Sequence, residues 1–189
     1  MAKMVVTKLD AAVSHTVRAI YTYFEKDPLP ALSLTWAANE ILRDLIGGRK
    51  GVPASMLRDH PRIIEEYRKE YLAICAKIPN FLKHADKDPD ATVEFEPDVV
   101  PLLLMDNIQM LGRLDVALPF EAWFLFNWVP LKFPNLKNQD YVEPPELVRA
   151  QAQIDPNDYE AILRALKEPR VRRGYTPKVF KLPVERWSG

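Results

Sequence analysis

A chain of 189 residues that carries 26 Lys+Arg against 26 Asp+Glu has no formal net charge, which excludes a globally basic nucleic-acid binder and an acidic solvating chain. Its length suits one domain that buries roughly two-thirds of its unfolded surface. The single cysteine, Cys75, excludes an internal disulfide and any cysteine-based zinc site, and six glycines without a Gly-x-Gly-x-x-Gly or Walker-type cradle exclude the common ATP- and NAD-binding folds.

The start, Met1 to Asp10, lacks the long apolar region of a secretory signal, so export is not expected. From Thr7 to Lys26, Leu9, Val13, Thr16, Val17, Ile20 and Phe24 recur at helical spacing, with Asp10 near the positive end of the helix dipole. The break at Asp27-Pro28-Leu29-Pro30 is followed by Leu34, Ala38, Ile41, Leu42 and Leu45 on the same period until Gly47-Gly48, predicting a second helix over 30–46. Asn39, Glu40, Arg43 and Asp44 project away from that stripe and read as its solvated face. After a turn over 48–53, Pro61 opens a third run whose stripe is Ile64, Tyr67, Tyr71, Ile74, Ile78, Phe81 and Leu82, with a kink expected at Pro79. Cys75 within it reads as a core thiol in a reducing compartment.

Thr92 to Glu96 alternates polar and apolar residues, but a lone strand has nothing to pair with, so an extended loop is expected. Val100, Leu103, Leu104, Ile108, Leu111 and Leu114 predict a fourth helix within 97–116. Residues 119–134 give a fifth, which Trp123, Phe124, Phe126 and Trp128 make apolar nearly all round. No run of ~18 apolar residues is uninterrupted, so no membrane span is predicted and a cytoplasmic protein is expected. Beyond Pro134, prolines punctuate short segments. Only 156–167 reads as a firm helix, with Asp155 as its N-cap. The sum is an all-α fold: a five-helix, bundle-like core over 1–136, and a C-terminal extension over 137–189 with one or two short helices, packed on the bundle or on a partner.

Titratable groups crowd at Asn80-Phe-Leu-Lys-His84-Ala-Asp86-Lys-Asp88-Pro-Asp90. Lys77, Asn80 and His84 fall at i, i+3 and i+7, one stripe beside the apolar face of the third helix. A partly buried histidine there can move a proton to or from a ribose or leaving oxygen while a cation and an amide hold phosphate. The alternative is that His84 closes a helix, favoured by the negative end of its dipole. Asp86, Asp88 and Asp90 match the first places of a calcium loop, but Ala91 and Pro97 stand where glycine and the bidentate glutamate belong, so no EF-hand is predicted. A looser divalent-ion site of His84, Asp86 and Asp88 is the third reading, against Asx-turns in a solvated loop, and no metal is assigned. His15 and His60 show no ligand pairing and read as surface residues.

The run Asn80-Phe-Leu-Lys-His84, late in the third helix of an all-helical chain, resembles the signature region of HEPN-like domains. In that superfamily an arginine, usually followed by a polar residue such as asparagine, precedes a histidine by about one helical turn or slightly more, and two protomers bring their motifs together across a dimer. The resemblance implies a homodimer that binds RNA or a nucleotide and cleaves RNA without a metal or cofactor, through His84 and Asn80. Lys77 is the nearest upstream cation, because Pro79 stands where the arginine would. Lys83, Arg172 and Arg173 would add phosphate contacts; from Arg164 onward eight cations face Glu168 and Glu185 alone. The competing expectation is a non-catalytic interaction or dimerisation module, in which the fifth helix, through a burial role for Trp123, Phe126 and Trp128, and the C-terminal region cover a partner, and His84 is structural.

Overall fold

The computed structural model describes residues 3–47, 55, 57, 65–83, 90–134, 153–177 and 179, with backbone alone at 65, 67, 68, 70–72, 74, 75, 83, 170 and 171. Among them the fold is all-α. The helices are α1 (Lys8–Phe24), α2 (Pro28–Ile46), α3 (Glu65–Lys83), α4 (Val99–Arg113), α5 (Phe120–Lys132), α6 (Tyr159–Lys167) and α7 (Pro169–Arg173). The one β contact among the described residues is an isolated bridge between Ala117 and Val179.

α1 begins in a capping box: the Thr7 hydroxyl accepts from the Asp10 amide, and the Asp10 carboxylate accepts from the Thr7 amide. The Thr7 hydroxyl also donates to that carboxylate at 2.7 Å, and this bond, then the one from the Thr7 amide, holds the Asp10 carboxyl below its ordinary value. The helix ends without glycine. Lys26 takes the left-handed conformation (φ 63°), and the amides of Asp27 and Lys26 return to the carbonyls of Thr22 and Tyr23. Asp115 (φ 57°) ends α4 in the same way, with Val116 and Asp115 bonded back to Leu111 and Gly112. Both are Schellman closures on side-chain-bearing residues, which turn the chain sharply enough for α2 to pack along α1 and for α5 to follow α4.

α1, α2 and α4 pack mutually, α5 joins α1 and α4, and α6 lies on α1. The core is assembled from Ile20, Phe24, Leu32, Leu42, Ile46, Leu104, Ile108, Leu111, Leu125 and Trp128. α2 buries Ala31, Thr35, Ala38, Leu42 and Ile46 together with Leu32, Trp36 and Asn39. This face is rotated about one residue from the predicted stripe, and Leu45 is exposed. α2 contacts α1 on one side and α4 on the other, so burial covers more of its surface than one amphipathic stripe.

α5 is apolar nearly all round, as expected, but not evenly covered. Glu121 is buried while Trp123 is 39% exposed. α6 starts at Tyr159 with Asp158 as N-cap, its carboxylate accepting from the Ala161 amide. Asp155, the predicted cap, instead accepts from the Asn157 amide in a preceding turn. Residues 91–96 form neither helix nor strand, as expected of a loop.

Candidate functional site

α3 runs through Pro79 as one helix to Lys83. Glu66, Lys69, Ala73, Lys77 and Asn80 are all exposed and fall within one sector of the helix, whereas Pro79 is buried and Ala76 and Ile78 are partly buried against the core. Lys77 and Asn80 therefore share a face one turn apart, as their spacing requires. That face is turned to solvent. Phe81 and Leu82, predicted to lie in the apolar stripe, are 39% and 36% exposed.

The position before Asn80, where the HEPN-like pattern has its arginine, is directed inward by the same geometry. His84, His60, Asp86, Asp88, the Lys83 side chain, the Cys75 side chain and Trp187 lie outside the described residues. Asp90 is exposed. Among the described residues no cluster of three or more His, Cys, Asp or Glu is placed to hold a metal.

Of the predicted phosphate-binding arginines, Arg173 is exposed. Arg172 is already engaged: its Nη2 donates to Oε1 of Glu121, a carboxylate almost wholly buried on the first turn of α5. The same oxygen accepts from the Tyr21 hydroxyl at 2.8 Å. Burial, then the bond to Glu121, pushes the Tyr21 phenol up to about 12.

The polar residues that sequence reasoning missed lie between α2 and α4. Asp106, Asn107 and Asn39 are each at most 1% exposed. Asn39 Nδ2 donates to Asp106 Oδ2 at 2.8 Å and to Asn107 Oδ1 at 2.9 Å, and Asn107 Nδ2 donates to the Thr35 carbonyl at 2.9 Å. Ser55 Oγ donates to Asp106 Oδ2 at 2.6 Å, and the Leu57 amide donates to Asp106 Oδ1 at 3.4 Å. The cluster thus ties the connection between α2 and α3 to the helical core. The available signal was Asp106-Asn107 inside an apolar run, together with Asn39 at i+4 from Thr35 and three before Leu42.

His15 corrects another expectation. It is partly buried, and its Nδ1 is covered without a hydrogen-bond partner. An open hollow of about 540 Å³ is lined by Glu160, Leu163, Arg164, Lys167 and Glu168. All of its walls come from α6 and the residue after it, with charges of both signs, which describes a solvated helix face.

Comparison with protein-family models, with curated proteins and with solved structures returns no match to this chain.

Proposed function

We propose that this chain is a non-catalytic, HEPN-like helical module whose working surface is the exposed end of α3, where it meets a second copy of itself. The observation that carries this reading is the pairing, at one helix end, of an open polar face (Lys77, Asn80) with uncovered Phe81 and Leu82. Large apolar side chains left together at a helix end favour a partner that removes them from water, and polar neighbours fix its register.

Three facts favour binding over catalysis. The residue before Asn80 is a buried proline, so no guanidinium is supplied from that place. The nearest upstream cation, Lys77, cannot form the bidentate fork that arginine makes with phosphate. Arg172 is committed to Glu121. The second reading, RNA or nucleotide binding with cleavage at His84, draws on the alignment of Lys69, Lys77 and Asn80 along one open face.

Light scattering after size exclusion, over a hundredfold range of concentration, tests the first reading. Wild type is expected to dimerise and the Phe81→Asp/Leu82→Asp variant to stay monomeric with an unchanged melting temperature. A wild type that remains monomeric throughout would overturn it. Metal-free cleavage of a mixed single-stranded RNA pool that stops in a folded His84→Ala variant would put the nuclease reading in its place.

A further inference from the structure

α6 is nine residues long, too short to be stable alone, so its order comes from docking. Its inward positions are Tyr159, Ile162 and Leu166, at i, i+3 and i+7, while Glu160, Arg164 and Lys167 stay exposed. Tyr159 packs against Tyr23, Phe24 and Trp128, and its hydroxyl meets the Tyr23 hydroxyl at 2.9 Å. The approach to α6 is held by Trp128 Nε1 donating to the Pro156 carbonyl at 3.2 Å. This is the geometry of an amphipathic helix laid in a groove, here formed by α1 and α5.

The groove is closed by charge. Lys167 pairs with Glu25 at 3.2 Å and Lys26 with Glu160 at 3.8 Å, both in exposed positions that salt screens. Beyond α6, Arg172 reaches the buried Glu121. Only the carboxylate of this pair is buried, the guanidinium being half exposed, so the pair adds little net stability, yet removing the cation strands the buried charge. Such a contact makes closure conditional on the pair meeting. Between α1 and α2, buried apolar side chains do the packing.

We propose that α6 and α7 form a releasable strap, which fills in cis a helix-binding groove between α1 and α5, with Glu121–Arg172 as its latch. Opening uncovers the faces of Tyr23, Phe24 and Trp128 while α1, α2 and α4 stay assembled. Hydrogen exchange read by mass spectrometry on the full chain tests this, comparing wild type, Glu121→Gln and the double variant Glu121→Met/Arg172→Met at low and at 1 M KCl. Amides of 159–173 are expected to exchange at least roughly tenfold faster than those of α4, faster again in KCl and in Glu121→Gln, and to regain protection in the double variant. Strap amides that exchange at the α4 rate in every condition would overturn the proposal. So would a Glu121→Gln change that speeds α4 and α6 equally, since α6 would then belong to one cooperative core.

Discussion

Asp106 and Glu121 are both carboxylates sealed within helix packing, and they are used differently. Asp106 sits midway along α4, and its described partners are an amide, a hydroxyl and a backbone N–H, drawn from α2 and from residues 55 and 57. Glu121 sits at the start of α5, where the helix dipole favours an acid, and is met by a phenol and a guanidinium from the two ends of the chain. Where the acid ties in the middle of the chain, several donors converge and the contact is woven into the core. Where it ties in the C-terminal segment, a single half-exposed cation makes the contact, beside the apolar docking of Tyr159, Ile162 and Leu166.

The sharpest way to break this comparison is to remove each acid. Asp106→Leu leaves the Ser55 hydroxyl and the Asn39 amide facing an apolar side chain. It should cost about 3–5 kcal/mol, which urea denaturation with an unchanged m-value would show. Arg172→Met strands Glu121, but the guanidinium is half exposed, so the expected loss is smaller, about 1–2 kcal/mol, and adding Glu121→Met should recover it. If both single changes cost the same and the double variant recovers nothing, the two carboxylates play one role.

The Tyr21 phenol offers a pH readout confined to the Glu121 side. Because its folded value is raised to about 12 from 10, its contribution to stability is fully present below pH 10 and is lost as pH rises from there toward 12. In stability measured against pH, the wild type should fall more steeply over that window than Tyr21→Phe. Parallel curves would mean that neither its own burial nor the bond to Glu121 raises the phenol.

Smallest are two effects at helix ends, away from either acid. Thr7→Ala removes the cap of α1 and should cost about 1 kcal/mol. It should also return the Asp10 carboxyl toward 3.8, visible by NMR titration. Since that carboxyl is lowered in the fold, its stabilisation is present above pH 3.8 and is lost as pH falls below it. Lys26→Gly, at a left-handed position, should raise stability by about 0.5–1 kcal/mol in thermal melts.

The α1 stripe with Asp10 at its start, the existence of α4 and the all-α class were legible because each depends on local spacing and on a few residues near one another. The face of α2 was not, because which side of a helix is buried depends on how many neighbours it has. With α1 and α4 on two sides, Asn39 goes inside and Leu45 outside. The Lys77–Asn80 stripe was placed correctly on one face but assigned to the border of the core. Only the position of Pro79 and the uncovered Phe81 and Leu82 turn that face outward.

By itself, then, the sequence determined where helices form and stop, since hydrophobic period, capping residues and proline act within a turn or two of the chain. Tertiary structure alone decided which polar residues are buried together. Asn39 meets Asp106 across 67 positions, Tyr21 meets Glu121 across 100, and Arg172 returns to Glu121 across 51. No local pattern encodes such pairings. A carboxylate can stay in the interior only where distant donors converge on it, and that convergence exists only once the helices have packed.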